Sequence, residues 1–343
     1  MNISIIEALM AHFRYWVNFL KMLVILNKTY EYFFKLLIQI LRCEFPIDSV
    51  LKNKNHLLLG SFNAVFLVAH SQKIPNIKYD VKMDIVTITS SEFPYKEIKF
   101  HGGMNNGDII YGFLGGDYAK LPVRGKTVID IGANIGDTPI YFTLHGANRV
   151  IGIEPYPKNY ELAIKNVLTN EFSDKIIMIL AGCSSKMGQI IIDPEYKSNI
   201  ESQLKNSTSG KSIPLLTLED ILKKYNVEND SILKMDCEGC EYDVILHSSD
   251  EILKRFSHIQ IEYHSGYKNL KEKLERCGFK VSITGPVATD VLQTYLQSIK
   301  QFLSALNFNK KSVSVPYNDA NSINYKKNHT IGYVGFIYAI RTI

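Results

Sequence analysis

The segment KTVIDIGANIGD, residues 126–137, joins a run of β-branched apolar residues to a loop that contains two glycines. Such a run predicts a buried strand, and the glycines predict a tight turn into a helix. Further strand-like segments follow it, with helical patterns between most of them: RVIGIEP (149–155), KIIMILAG (175–182), SILKMD (231–236), IQIEYH (259–264), FKVSIT (279–284) and IGYVGFIYAI (331–340). This alternation predicts an α/β fold with a mostly parallel sheet covered on both faces.

The glycine loop indicates the kind of ligand, because open α/β sheets bind ligands beyond the carboxyl ends of their strands. Gly132 and Gly136 are spaced G-x-x-x-G rather than G-x-G-x-x-G, and Asp130 and Asp137 flank them. These two carboxylates would repel a pyrophosphate. They would attract the sulfonium and ammonium groups of S-adenosylmethionine. Glu154, at the end of the next strand, is placed to accept hydrogen bonds from both ribose hydroxyls.

Acids and an imidazole follow the fourth and fifth strands of this alternating region, where a general base would be expected. The candidates are Asp236, Glu238, Glu262 and His264. Lys234 shares a strand face with Asp236, so it either orients that carboxylate or forms a structural ion pair with it. The same four side chains would also suit Mg²⁺ or Mn²⁺. Because their spacing does not require a cation, we predict no metal.

The segment KMDCEGCEYD, residues 234–243, contains a C-x-x-C pair, Cys237 and Cys240. A zinc site would need a second ligand pair, and neighbouring carboxylates oppose the low thiol pKa of a redox motif. We therefore interpret both cysteines as packed apolar positions and expect activity to survive serine at both. Five cysteines without a secretory signal favour a reducing compartment.

Four segments, in this order and spacing, resemble the FkbM-type S-adenosylmethionine-dependent methyltransferases: VIDIGANIGDTPIYF, VIGIEPYPKNYELAIKNV, IPLLTLEDIL and ILKMDCEGCEYDVI. The resemblance covers about residues 118–278. It implies a class I methyltransferase fold, a Rossmann-like seven-stranded sheet that is mostly parallel with its last strand antiparallel. It also implies that residues 181–184 line the adenine. The cofactor-binding candidates are Tyr118, Asp130, Gly132, Ala133, Asn134, Gly136, Asp137, Glu154, Pro155, Gly182 and Asp236.

The chain outside this region predicts a helical extension (1–55) and an accessory β-rich segment with an antiparallel ribbon (56–120). The remainder, 121–343, forms the methyltransferase domain with an insertion at 286–330. Charged residues recur every seven positions in the extension: Glu7, Arg14, Lys21, Lys28, Lys35 and Arg42. They form one polar stripe on otherwise apolar helices. Packing on the body, dimerisation, contact with a membrane surface and membrane spanning remain alternatives, of which we expect the first two.

The sequence as a whole predicts a cytoplasmic O-methyltransferase that acts on a glycan, a lipid-linked sugar or a small metabolite. The net charge of +5 is spread along 343 residues, so a nucleic-acid partner is not expected. The ribbon, residues 115–120 and the insertion with Tyr295 and Tyr317 would cap the acceptor pocket. Two alternatives remain, a non-catalytic subunit of the same fold and an NAD-dependent dehydrogenase.

Overall fold

A computed structural model provides the structure of the chain. It describes residues 3–42, 44–90, 97–104, 109–193, 210–289, 291–292, 294–295, 298 and 331–342. The structural statements below concern these residues.

The N-terminal part is one small unit of helices and a hairpin. Its elements are α1 (Ile5–Thr29), α2 (Phe33–Leu41), β1 (Ile47–Val50), β2 (His56–Leu59) and α3 (Phe62–Ser71). The antiparallel β1–β2 hairpin crosses the predicted boundary between residues 55 and 56. Because α3 is mostly buried beside β1 and β2, this unit has a core of its own.

Helix α1 begins at a capping box, in which the Ser4 side chain accepts from the Glu7 N–H and Glu7 accepts from the Ser4 N–H. Only Ala11, Leu26 and Thr29 are buried along its length. The body therefore covers little of this helix, and a broad apolar face stays exposed. Packing of that face in a dimer, the other half of the expectation, stays a prediction. Within the described chain, α1 is the one helix long and apolar enough to cross a membrane by length and composition.

The predicted ribbon is present as three antiparallel strands, β3 (Ile77–Asp80), β4 (Ile85–Thr89) and β5 (Glu97–His101). The side-chain amides of Asn166 and Asn170 pair with the backbone of His101 and Lys99. A one-turn π-helix (Tyr111–Gly115) follows. The carbonyl of Asp117 then accepts from Gln260 Nε2 and the Tyr338 hydroxyl, so residues 115–120 pack beside the central sheet.

The strands from residue 127 onward are β6 (Thr127–Ile131), β7 (Arg149–Glu154), β8 (Ile176–Leu180), β9 (Gly182–Cys183), β10 (Gly188–Ile192), β11 (Lys211–Leu216), β12 (Ser231–Met235), β13 (Phe256–Tyr263), β14 (Phe279–Ile283), β15 (Val287–Thr289) and β16 (Gly332–Arg341). Seven of them form the central sheet in the order β14–β16–β13–β12–β6–β7–β8. Strand β16 is antiparallel to both of its main neighbours, and β12, β13, β6, β7 and β8 pair in parallel. The predicted seven-stranded sheet is confirmed.

The helices of this part are α4 (Asp137–Leu144), α5 (Pro157–Thr169), α6 (Leu218–Lys224), α7 (Cys240–His247), α8 (Asp250–Leu253) and α9 (Lys268–Arg276). Helix α5 starts at a proline, and Thr217 and Asp220 cap α6 reciprocally. Adjacent β6 residues lie in separate cores: Val128 in one cluster, Ile129 in the other. Both faces of the sheet are therefore covered, as its continuous apolar strands require.

A second small sheet, β10–β11–β9, was not predicted. Most of the polar segment 197–211, which interrupts the alternating pattern, lies outside the described residues, as does most of the 286–330 insertion with Tyr317. The described start of that insertion is β15, which pairs with β16. Tyr295 is about half exposed, and its predicted contact with an acceptor stays a prediction.

Candidate active site

The glycine loop after β6 lies directly against the loop after β12. Gly132 has a φ of +82°, and a Cβ atom there would stand 1.7 Å from the backbone oxygen of Asp236. Gly136 has a φ of +81°, and its Cβ would approach Ala163 of α5 to 3.1 Å. Only glycine fits both requirements. The carboxyl ends of two neighbouring strands, β6 and β12, thus meet at one point.

The backbone N–H groups of this loop are used within the protein. Gly132 and Ala133 both donate to Ile153 O, at 3.0 and 3.1 Å. Asn134 donates to Glu154 Oε2 at 2.9 Å, and Gly136 donates to Ala133 O at 2.8 Å. A phosphate-binding loop instead points such donors at its ligand. The loop therefore does not provide the pyrophosphate cradle of a dinucleotide enzyme.

Glu154 ends β7 with a side chain that is almost fully buried. Its carboxylate accepts from the N–H groups of Tyr156 (3.0 Å) and Asn134 (2.9 Å), and Pro155 separates it from the helix α5. Burial raises the pKa of Glu154 to about 8, against the opposite effect of these two hydrogen bonds. Each oxygen keeps a second lone pair for a hydroxyl donor.

The residues present fit S-adenosylmethionine. Asn134 Oδ1 is buried and has no hydrogen-bond partner among the described residues, and Asn134 has a φ of +46°. A buried unpaired acceptor is costly unless a ligand satisfies it, and the ammonium group of the methionine part is a donor. Asn134 would hold that group, and Glu154 would hold the ribose hydroxyls.

The other cofactor candidates lie around this loop. Asp137 is the first residue of α4 and its side chain is buried. Gly182 is buried in β9, directly after the buried residue Ala181. Ser184 and Ser185 beyond it both bond to the carboxylate of Asp243. This anchoring of the predicted adenine loop by α7 was not expected from the sequence.

Tyr118 is buried in the core cluster, where its ring packs against Tyr141 and Phe142. The Nζ atom of Lys234 lies 5.8 Å from the ring centroid, a distance typical of a cation–π contact. Ordinary packing thus accounts for Tyr118, and its predicted cofactor contact stays a prediction.

Lys234 was predicted to serve Asp236, and this is wrong. It is 2% exposed, and its Nζ atom lies 3.0 Å from Asp130 Oδ1 and donates to Gly132 O at 3.0 Å. Asp130 is fully buried and also accepts from the Thr138 hydroxyl. Lys234 and Asp130 are register partners on adjacent strands, whereas Asp236 lies beyond the strand end. Burial acts to lower the pKa of Lys234, but Asp130 and Asp236 outweigh it and raise the pKa, so the lysine is charged.

The predicted acids and imidazole come together at the rim formed by the ends of β12 and β13. His264 Nε2 lies 3.4 Å from Glu238 Oε2 and 3.9 Å from Asp236 Oδ1. Its other nitrogen, Nδ1, lies 2.7 Å from Glu241 Oε1, and Glu241 is fully buried. Glu241 was not among the candidates, although its place as the second residue of α7, shortly after the strand-end acid Asp236, could have suggested it.

The charge state of His264 follows from these neighbours. Burial alone would lower its pKa, but the hydrogen bond to Glu241 and the charges of Glu238, Glu241 and Asp236 raise the pKa to about 10. His264 is therefore an imidazolium at neutral pH and cannot accept a proton there. Ligand atoms of Asp236, Glu262 and His264 all lie within 4.8 Å of one another, close enough to share a cation.

Cys237 and Cys240 form a disulfide bond, with Cα atoms 5.5 Å apart. Both cysteines pack against the hydrophobic core, as interpreted from the sequence, but the covalent bond between them was not predicted. The bond closes a turn in which Glu238 and Gly239 both have positive φ, 55° and 115°. This turn brings both sulfurs together at the start of α7. Disulfides persist mainly in oxidising compartments, so the cytoplasmic location stays a prediction.

The strand order and the site geometry define a class I methyltransferase, in which strand β16 inserts antiparallel between β13 and β14. The cofactor of this class is S-adenosylmethionine. Residues 130–281 match the family described as "Methyltransferase FkbM domain". The resemblance seen in the sequence is confirmed.

The chain is similar to several known proteins and solved structures at low sequence identity. The methyltransferase sdnD of Sordaria araneosa is 22% identical over 202 residues, which cover 48% of this chain and 78% of that protein. Protein 158B of Sulfolobus islandicus rod-shaped virus 1 is 30% identical over 126 residues, 36% of this chain and about half (54%) of its own length. Among solved structures, M. capricolum TrmK in complex with S-adenosyl-homocysteine has a TM-score of 0.35 and 15% identity, covering 65% of this chain and 66% of that one.

Replacing Glu154 tests its assignment to the ribose. At a pH above 8, where Glu154 is ionised, we expect Glu154→Gln to weaken S-adenosylmethionine binding roughly 10- to 100-fold, because hydrogen bonds to a charged group contribute about 1.5–3 kcal/mol. Below its pKa of about 8, Glu154 must lose a proton before the ionised form can bind. Wild-type affinity, measured by calorimetry, should therefore rise as the pH increases through 8, and the variant should lack this dependence.

The matched control for this measurement is Glu161→Gln on the exposed side of α5, which should bind the cofactor normally. Equal affinities and equal pH profiles for Glu154→Gln and the wild type would refute the assignment.

Proposed function

We propose that the protein is an S-adenosylmethionine-dependent O-methyltransferase that acts on a hydroxyl group of a glycan, a lipid-linked sugar or a small metabolite. The observation that carries the proposal is the position of Asp236. Its backbone abuts Gly132 of the cofactor loop, and its side chain is 30% exposed on the acidic rim. A carboxylate is thereby placed between the cofactor site and solvent, where an acceptor would enter.

When bound, S-adenosylmethionine supplies a methyl group on a sulfonium centre. The chain has to align the acceptor oxygen with that methyl and remove the hydroxyl proton. Alignment alone accounts for roughly 7–11 kcal/mol in ideal cases. Asp236 accepts the proton as the oxygen attacks, and the protonated carboxyl later returns it to water.

The neighbours of Asp236 suit it for this role. Glu238 is closer to the charged His264 than Asp236 is, and Glu241 is buried on its far side. His264 therefore neutralises part of the acidic rim while Glu241 holds the ring in place.

Other methyl-transfer chemistries have less support. The residues after β12 read DCEG, without the Asp/Asn-Pro-Pro-aromatic pattern typical of enzymes that methylate exocyclic base nitrogens. Cys237 is bonded to Cys240 and is not available as a nucleophile for carbon methylation. The loop without a phosphate cradle speaks against the dehydrogenase alternative. The intact rim of acids speaks against a non-catalytic subunit.

Transfer of a labelled methyl group tests the proposal. The protein would be incubated with methyl-labelled S-adenosylmethionine and separate pools of methyl glycosides, polyprenol-linked sugars, phenols, amines and tRNA. We expect the label in an O-methyl ether, identified by mass spectrometry, in one of the first three pools. Label only on nitrogen or on the bases of tRNA would contradict O-methylation, and label on the ribose hydroxyls of tRNA would contradict the proposed acceptor class. Cofactor binding without transfer to any pool would support the non-catalytic alternative, and loss of transfer in EDTA would assign the rim to a cation.

A further inference from the structure

Helix α1 carries an apolar stripe that neither the fold nor the active site uses. Its large side chains are exposed by 38–76% and follow helical spacing along one side: Ile5, Ile6, Leu9, Met10, Phe13, Trp16, Leu20 and Val24. From the first to the last, this stripe extends over roughly 28 Å at 1.5 Å per residue. Soluble surfaces rarely expose a continuous apolar patch of this size without a partner.

The opposite side of α1 is fixed to the protein body. Glu7 accepts from the Tyr267 hydroxyl, Arg14 Nη1 donates to Pro286 O at 2.8 Å, and the Tyr15 hydroxyl accepts from Leu292 N at 3.3 Å. The helix is therefore held along its inner face, and the stripe faces outward. A membrane-spanning arrangement would have to break these three contacts.

The charges beside the stripe are basic. Lys21, Lys28 and Lys35 are exposed and form no ion pair within the described chain. The two acidic residues of the same helical region already have partners. Glu7 accepts a hydrogen bond from Tyr267, and Glu31 forms an ion pair with Lys54 at 2.9 Å. An apolar face with basic flanks and a tryptophan is typical of helices that lie in the surface of an anionic membrane.

We propose that α1 docks on the surface of an anionic lipid membrane through the stripe, with Lys21 and Lys28 against the headgroups. A second copy of the chain is a less favourable partner for the stripe, because a twofold interface would bring the lysines of the two copies close together and they would repel each other. Tyr267, which anchors α1, follows His264 by three residues, so the docked helix belongs to the rim of the methyl-transfer site. If the proposed function holds, a lipid-linked sugar is the acceptor class that this arrangement favours.

Flotation of the full chain with lipid vesicles tests the docking and requires neither an acceptor nor methyl transfer. We expect the protein to float with phosphatidylcholine vesicles that contain phosphatidylglycerol, and to float less with phosphatidylcholine alone. Phe13→Ser with Leu20→Ser should abolish flotation. Lys21→Ser with Lys28→Ser should weaken binding to the anionic vesicles by about 30-fold, because each lysine near the surface contributes about 1 kcal/mol. All these positions are exposed, so S-adenosylmethionine binding should be unchanged.

The matched control is Leu168→Ser with Met187→Ser, which removes two similarly exposed apolar side chains elsewhere and should float like the wild type. The proposal would be overturned if the wild-type protein failed to float with both kinds of vesicle. It would also be overturned if the Phe13→Ser, Leu20→Ser variant floated as well as the wild type. A stable dimer that the stripe substitutions dissociate would overturn it too, as would resistance of the vesicle-bound protein to alkaline carbonate extraction, which indicates spanning.

Discussion

Asp236→Asn is expected to lower kcat of methyl transfer by roughly 10²- to 10⁴-fold, the range of a lost general base. The substitution keeps the side-chain shape, and the backbone of residue 236 still packs against Gly132. Binding of S-adenosylmethionine should therefore stay within about threefold of the wild type, since the assigned base acts on the acceptor proton. Single-turnover transfer to the acceptor found with the labelled pools would measure the effect.

Two comparisons make this result specific to Asp236. Asp174→Asn, an exposed position before β8 and far from the rim, should transfer methyl at the wild-type rate. Glu238→Gln and Glu262→Gln should reduce kcat less than Asp236→Asn does. A larger loss for either glutamate would move the base to that residue, and an active Asp236→Asn would remove Asp236 from the reaction.

Asp130→Ala is expected to destabilise the protein by about 3–5 kcal/mol, because it leaves the buried Lys234 charge without its carboxylate. Among the described residues, Lys234 would then keep the carbonyl of Gly132, at 3.0 Å, as its hydrogen-bond acceptor. The free energy of unfolding, measured in denaturant, should fall accordingly. An exposed pair gives the matched control: Lys223→Ala, which removes the partner of Glu219 on α6, should leave the free energy of unfolding nearly unchanged.

The double variant Asp130→Leu, Lys234→Met separates support of the fold from contact with the cofactor. Replacing both members of a buried ion pair by apolar residues is often neutral or stabilising, so we expect most of the stability to return. Because the Asp130 carboxylate is fully buried against Lys234 and Thr138, cofactor binding should return with it. A stable double variant that fails to bind S-adenosylmethionine would show that Asp130 itself contacts the cofactor, as the family resemblance implies.

The central fold could be predicted because its signals are local. Each strand of the central sheet from β6 onward is a short apolar run bounded by glycine, proline or polar residues, and helical periodicity separates most of them. The small β10–β11–β9 sheet was missed because its strands are short and paired across a long polar segment. The exposed face of α1 could not be predicted either, since periodicity defines faces but does not say which of them the body covers.

The sequence predicted which residues come together at the site. It predicted less well which of them form hydrogen bonds and ion pairs with one another. Asp236, Glu238 and His264 do gather at one rim, as neighbouring strand ends require. The partner of Lys234 was misassigned because two carboxylates are candidates: Asp236 lies two residues further along the chain, and Asp130 lies opposite on the neighbouring strand. Only the pairing of β12 with β6 identifies Asp130 as the partner. The support of His264 by Glu241 depends on the rotation of α7, which residue spacing alone does not determine.

The disulfide between Cys237 and Cys240 has a consequence for how the protein is handled. Both acids next to it, Asp236 and Glu238, belong to the rim, and the bond spans the turn that positions Glu238. Protein purified with dithiothreitol and protein purified without it are therefore two different chemical species at the acceptor side of the site. Activity assays have to state the thiol content of the sample, and one preparation cannot stand in for the other.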